Sequence, residues 1–172
     1  MKNFKFILWI ATALFATSTF AGSELVPLPD GYKNTFTEYA VINRTKKKQV
    51  VYTFANKVAV DSATMGQPLD AGSILVMEVY KAKLDNNKKP ITDDKGFYIK
   101  DSMAAIVVME KRDGWGDAYP EKIRNGDWEY AKYKPNKDKP VNKDSVGCLT
   151  CHKKMEQKDY IFSFDELISV KK

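Results

Sequence analysis

The sequence is poor in residues that bind metals or form disulfides, with only two cysteines and one histidine among 172 residues. All three lie within one stretch, Cys148-Leu149-Thr150-Cys151-His152. This scarcity excludes a framework of several disulfides. A zinc site with four Cys or His ligands is excluded as well, unless carboxylates complete the ligand set.

Cys-x-x-Cys-His is the attachment signature of c-type haem. In that chemistry two thiols add to the two vinyl groups of one haem, and the adjacent imidazole binds the iron. The sequence therefore predicts one covalent haem c held by Cys148 and Cys151, with His152 as the iron ligand. Four alternatives stay open: a chance association of these residues, zinc with added carboxylates, a structural disulfide, and a thioredoxin-like redox pair. The last is expected near a βαβ pattern, which the sequence lacks.

The sequence has no long apolar run except the one at its N-terminus. Lys2 and Lys5 precede that run, and Thr19-Phe20-Ala21 places small residues at positions −3 and −1 of a cleavage site. The run is too short for a membrane span, which needs about 20 apolar residues. We predict that residues 1–21 are a cleaved signal peptide. The remaining chain is then a periplasmic protein without a membrane span.

The charge balance lacks a strong excess of either sign. Removal of Lys2 and Lys5 leaves 26 basic residues against 22 acidic ones, a net charge of +4. This value is too small to indicate a nucleic-acid partner. The length of segment 22–172 suits one domain with its own core, so we predict a single haem-binding cytochrome domain.

Long helical periodicity is also missing beyond the N-terminus, which argues against the all-helical and four-helix cytochromes. β-branched and aromatic runs instead predict strands at 49–54, 73–80, 97–99, 103–110 and 127–133. In the second of these, alternation places Leu75, Met77 and Val79 on one face. The pattern predicts a mainly β (α+β) fold, in which an antiparallel sheet carries a few short peripheral helices. The haem motif lies near the C-terminus.

Capping signals predict where the short helices begin. We expect helices at 34–40, from the Asn56 cap to about residue 64, from Ser145 through the haem motif, and from Ser163 onward. Ser163 to Glu166 forms a capping box, with Phe162 and Leu167 placed as a hydrophobic staple. The basic run at 44–48 is predicted to be a solvated turn.

Several segments resemble, in order, the cytochrome P460 family, which includes the β-sheet cytochromes c-prime. They are 28–32, 72–78, 96–98, 108–112, 114–116, 125–130 and the haem motif. The resemblance implies a β-rich fold, one covalent haem, a histidine ligand from the motif and, in many members, a homodimer. Some members oxidise hydroxylamine, whereas others bind nitric oxide or carbon monoxide.

The resemblance also bears on the distal side of the haem. In the hydroxylamine-oxidising members a lysine is cross-linked to the haem at the position matching Met77. A distal arginine matches Val51 and a distal glutamate matches Ile106. All three positions are apolar here, which implies an apolar distal pocket suited to electron transfer or to nitric oxide or carbon monoxide. Hydroxylamine oxidation stays an alternative, so whether the protein is an enzyme stays open.

A second alternative is a simple electron carrier with a methionine as the sixth iron ligand. Met77 is the first candidate for that ligand, followed by Met65, Met103 and Met109. For a redox partner protein, the lysines just before the haem motif are a candidate docking surface, because positive charge steers an acidic partner. A merely solvated loop is the other interpretation. These lysines are Lys132, Lys134, Lys137, Lys139 and Lys143.

Overall fold

The computed structural model, which describes residues 22–142 and 144–171, contains one five-stranded antiparallel sheet in the order β1-β2-β3-β4-β5. The strands are β1 Thr37–Arg44, β2 Gln49–Ala55, β3 Ile74–Ala82, β4 Lys100–Lys111 and β5 Trp128–Tyr133. The predicted mainly β fold is confirmed. The predicted signal peptide lies outside the described residues, and none of the described helices is long and apolar enough to cross a membrane.

The helices are short, and three of them pack on one face of the sheet. They are α1 Tyr32–Thr35, α2 Lys57–Ser62, α3 Val146–His152 and α4 Phe164–Ser169. The predicted cap of α2 is confirmed, because Asn56 Oδ1 accepts a hydrogen bond from the Ala59 N–H at 3.0 Å. The same oxygen accepts from the Ile74 N–H at 3.1 Å, so Asn56 also joins α2 to the start of β3.

Two predicted elements are wrong. The helix expected at 34–40 ends at Thr35, and Thr37–Arg44 forms β1, which pairs with β2 except at an irregularity between Glu38 and Ala40. Pairing with a neighbouring strand outweighs the weak local helix preference. The strand expected at 97–99 makes only an isolated bridge between Thr92 and Tyr98. Asp93 Oδ1 accepts from the N–H groups of Lys95 and Phe97, and this tight turn replaces a regular ladder.

The two faces of the sheet bury different clusters. One face, called the cavity face below, contributes Leu75, Met109 and Tyr130 to a core shared with α2, α3 and α4. The opposite face packs Val76 and Val108 against the N-terminal segment. The predicted alternation along β3 is confirmed, since neighbouring residues of this strand belong to different clusters.

Two serines that were expected to begin helices bond elsewhere. Ser145 does precede α3 as predicted, but its Oγ donates to the Tyr130 carbonyl at 3.0 Å and so ties the helix to β5. Ser163 precedes α4, yet its hydroxyl pairs with the Tyr39 hydroxyl at 2.8 Å and makes no cap bond. The predicted capping box is therefore wrong. Leu167 is buried, whereas Phe162 is 47% exposed and packs against His152.

Candidate haem site

The three residues of the haem motif lie on α3. Cys148 and Cys151 are three residues apart, so both side chains are on the same side of the helix. Both thiols are free. Cys148 is half-buried and packs against the core, while Cys151 is exposed. Burial raises the pKa of the Cys148 thiol.

A cavity of about 460 Å³ lies between the motif and the cavity face of the sheet. This volume is within the range of about 300–1,000 Å³ that is typical of small-molecule sites. Cys151 and His152 line it, whereas Cys148 does not. The opposite wall is built largely of apolar side chains from four strands: Ile42, Val51, Leu75, Met77, Val107 and Met109.

The single imidazole is oriented by a backbone carbonyl. His152 Nδ1 lies 2.6 Å from the Tyr160 carbonyl oxygen. Because a carbonyl can only accept, Nδ1 carries the hydrogen and Nε2 keeps its lone pair. Burial lowers the pKa of His152, which favours the neutral ring that binds metals. Tyr130 and Phe162 flank the ring, with centroids at 4.8 Å and 5.0 Å from it.

The carbonyl that orients the imidazole belongs to a fixed left-handed turn. Asp159 and Tyr160 have φ values of 47° and 63°, which are unusual for residues other than glycine. Lys111 Nζ lies 3.1 Å from both carboxylate oxygens of Asp159, and the Leu69 N–H donates to Oδ2 at 2.9 Å. Both side chains of the pair are largely buried. This buried ion pair, which sequence analysis missed, holds the turn beside His152.

Polar groups at the cavity are either paired or positively charged. The Thr53 hydroxyl donates to the Ala40 carbonyl at 2.9 Å, and Tyr39 pairs with Ser163. Arg44 and Lys154 also line the cavity, and no Asp or Glu does among the described residues. The cavity therefore suits an apolar group that carries negative charge at its edge. Sequence analysis missed Arg44 because its strand was not predicted.

The positions inferred from the family resemblance divide between the two faces. Met77 and Val51 line the cavity as expected. Ile106 does not, since it packs on the opposite face, and its neighbour Val107 lines the cavity instead. The match of Ile106 to a distal residue is therefore wrong. The position that does face the cavity is occupied by Val107, which is also apolar and cannot transfer a proton.

Only two of the four candidate methionine ligands are at the cavity. Met77 and Met109 line it. Met65 is 67% exposed, and Met103 packs against the cluster on the opposite face. The structure therefore removes Met65 and Met103 as candidates for the sixth iron ligand.

The donor set and the cavity fit a covalently held haem. Two free thiols lie one helical turn apart, and a neutral imidazole with an available Nε2 lines a mostly apolar cavity. The described part of the chain contains no cluster of three or more His, Cys, Asp or Glu that could hold a metal ion.

Comparison with known proteins agrees with this architecture. The profile of the cytochrome P460 family matches residues 29–163, a span that includes all five strands and the haem motif. No curated protein sequence matches the chain. Proteins of this family are haem-binding cytochromes. Because the match covers most of the chain, the protein belongs to the cytochrome P460 family.

Proposed function

We propose that the protein is an exported monohaem c-type cytochrome that binds a small gas, such as nitric oxide or carbon monoxide, in an apolar distal pocket. The observation that carries this proposal is the cavity between His152 and the apolar wall of the sheet. The proposal includes removal of residues 1–21 during export to the periplasm.

Each residue of the motif has a separate role in this proposal. Cys148 and Cys151 hold the haem covalently, and His152 binds its iron through Nε2. The haem iron supplies reversible binding of diatomic ligands and one-electron redox chemistry. The Tyr160 carbonyl fixes the tautomer and the orientation of His152, as partners of metal-bound histidines commonly do.

The remaining side chains select the ligand by polarity. Val51, Leu75 and Val107 exclude water and offer no proton donor. The nearby Thr53 hydroxyl already donates to a backbone carbonyl. Such a pocket favours a neutral diatomic ligand over one that needs hydrogen bonds or proton transfer.

The visible spectrum of the purified protein tests the proposal. We expect the reduced protein to have a five-coordinate iron, and its spectrum to change on addition of carbon monoxide or nitric oxide. A reduced spectrum that neither gas alters contradicts gas binding.

Covalent attachment and the proximal ligand have separate tests. The mass of the acid-denatured protein should exceed that of the polypeptide from Gly22 by one haem. His152→Ala should change the visible spectrum and lower the stability of the haem-loaded protein. A bare polypeptide mass after expression with haem-attachment machinery contradicts the covalent link, and an unchanged spectrum contradicts the role of His152.

A His/Met electron carrier is the second candidate, because the thioethers of Met77 and Met109 line the cavity. In that case the reduced protein is six-coordinate and binds carbon monoxide only after the ligating methionine is replaced. Met77→Leu and Met109→Leu identify that residue. Met65→Leu is the matched control, since Met65 is exposed.

Hydroxylamine oxidation is the alternative that follows from the family. Arg44 at the cavity favours it, since a guanidinium can bind a polar substrate. Apolar Met77, at the position of the cross-linked lysine, weighs against it. Reduction of the haem by hydroxylamine, lost in Arg44→Leu but kept in Lys154→Leu, would support this alternative.

A further inference from the structure

A buried carboxylate on β5 holds the first described residue of the chain. Glu129 is 0% exposed. Its Oε2 accepts from the Gly22 N–H at 2.9 Å and from the Tyr119 hydroxyl at 2.5 Å, and its Oε1 accepts from the Tyr130 N–H at 3.1 Å. Gly22 is itself buried. Three donors thus surround a carboxylate that has lost its contact with water.

Among the described residues, Glu129 differs from the other buried carboxylates because it has no cation as a salt-bridge partner. Within residues 22–142 and 144–171, no Lys or Arg forms a salt bridge with Glu129 at 4.0 Å or less. Each of the others has such a partner: Glu78 with Lys33 at 2.6 Å, Glu110 with Arg112 at 2.6 Å, and Asp159 with Lys111 at 3.1 Å. An unpaired buried charge is costly.

The register of the sheet adds to this cost. Glu110 of β4 and Glu129 of β5 are direct cross-strand partners. Like charges placed directly opposite each other destabilise a sheet. Arg112 compensates Glu110 only. A second positive charge beside Glu129 would therefore stabilise the pair of strands.

The predicted cleavage site supplies that charge. Hydrolysis of the Ala21–Gly22 peptide bond consumes one water, breaks the C–N bond, and leaves a carboxylate on Ala21 and an ammonium on Gly22. We propose that removal of residues 1–21 creates an ion pair between the α-ammonium of Gly22 and the carboxylate of Glu129. The pair locks the new N-terminus onto β5. This inference rests on the proposed cleavage after Ala21.

The surroundings of Gly22 suit an ammonium group. The Ser23 hydroxyl donates to the Asn142 carbonyl at 2.6 Å, and the Leu25 N–H donates to the Gly22 carbonyl at 3.0 Å, so the segment is held in place. The Glu24 carboxylate lies over Gly22, where a Cβ would collide with it. Hydrogen bonds between charged partners are stronger than those of a neutral amide.

The ion pair connects export to the haem site. Tyr130 follows Glu129, its ring contacts His152, and its carbonyl accepts from Ser145 at the start of α3. Cleavage therefore strengthens the strand on which the motif helix rests, and it does so in the compartment where haem c is attached.

The experiment compares two forms of the haem-loaded protein, one beginning at Gly22 and one that retains Ala21. The extra residue moves the amine by about 3.8 Å, measured between successive Cα atoms. Each form is made with Glu129 and with Glu129→Gln, and the unfolding equilibrium constant is measured for all four. Glu129→Gln should raise the unfolding equilibrium constant of both forms. We expect the factor by which it rises to be at least ten times larger for the Gly22 form than for the Ala21 form.

A second measurement needs no substitution. The α-amine of the Gly22 form should react with an acylating reagent at least tenfold more slowly than that of the Ala21 form, because its ammonium is paired with Glu129. If Glu129→Gln destabilises the two forms equally, or if the two amines react at the same rate, the ion pair does not form. Either result contradicts the ion pair and leaves the export proposal unaffected. An exported protein whose mass begins at another residue overturns the inference at its first step, together with the proposed cleavage site.

Discussion

Replacement of Lys111 by methionine tests how the His152 imidazole, the proposed iron ligand, is held. Lys111 is the cation that pairs with Asp159, and Asp159 begins the left-handed turn whose second residue, Tyr160, accepts the hydrogen bond from His152. Methionine keeps much of the length of the lysine side chain and removes its charge. Lys111→Met therefore leaves Asp159 as a buried carboxylate without its cation.

The magnitude follows from the burial of the pair. The side chains of Lys111 and Asp159 are 11% and 5% exposed, and removal of one partner of a buried pair costs about 3–5 kcal/mol. Since 1 kcal/mol lowers the melting temperature of a domain of this size by about 2–4 °C, we expect a decrease of roughly 6–20 °C. The Leu69 N–H that still donates to Asp159 favours the lower part of this range.

A neighbouring exposed ion pair provides the control. Lys158 precedes Asp159 and pairs with Asp165, but the two side chains are 38% and 55% exposed. Such a pair contributes about 0–1 kcal/mol. Lys158→Met should therefore lower the melting temperature by a few degrees at most. If Lys111→Met destabilises the haem-loaded protein no more than Lys158→Met, the buried pair does not hold the turn.

A spectroscopic measurement separates positioning from stability. A looser turn weakens the hydrogen bond from His152 Nδ1 to the Tyr160 carbonyl, and an imidazole bound to the proposed haem iron would then donate less electron density to it. In Lys111→Met the iron–histidine stretching frequency of the reduced protein should decrease, and the reduction potential should rise. A stability loss without either change would assign the ion pair a purely structural role.

Three further predictions follow. Proteolysis should give haem on the motif peptide alone, because apolar Met77 occupies the position that the resemblance matches to the cross-linked lysine of other members; a second peptide joined to the haem through a lysine contradicts this. Burial raises the pKa of Tyr39 to about 12, so the free energy of unfolding should fall by roughly 2 kcal/mol from pH 10 to pH 12 as the unfolded chain loses this proton, and Tyr39→Phe should flatten that slope. Electron exchange with an acidic carrier should slow as the Debye length shrinks from ~10 Å at 0.1 M salt to ~3 Å at 1 M. Changing Lys134, Lys137 and Lys139 to Glu should slow this exchange at low salt without altering the haem spectrum. An unchanged rate in the triple variant contradicts docking at these lysines.

Local patterns predicted the elements whose signals are contained within a few residues. The strands β2 to β5 are rich in β-branched and aromatic residues, and the alternation along β3 predicts that Leu75 and Met77 share one face. The cap at Asn56 depends on a donor only three residues away. The haem motif combines both thiols and the imidazole within five residues, so its helix could also be anticipated.

Features that depend on distant partners could not be predicted in this way. β1 is defined by its pairing with β2, and its own residues gave no clear strand signal, so Arg44 was assigned to a turn. Ser163 carried a capping pattern, but the Tyr39 hydroxyl, 124 residues away in sequence, binds its side chain. The match at Ile106 missed the cavity by one residue, which in a strand reverses the face.

The alternation of the strands keeps carboxylates away from the cavity while it buries them inside the fold. Met77 lines the cavity, whereas the next residue, Glu78, is buried on the opposite face with the Tyr32 and Tyr80 hydroxyls as donors. The sheet thus separates the cavity on one face from the buried Glu78 carboxylate on the other, where Lys33 is its cation partner. A slip of one residue would exchange these faces. The cost of moving a carboxylate into the cavity therefore favours the register that keeps the cavity wall apolar.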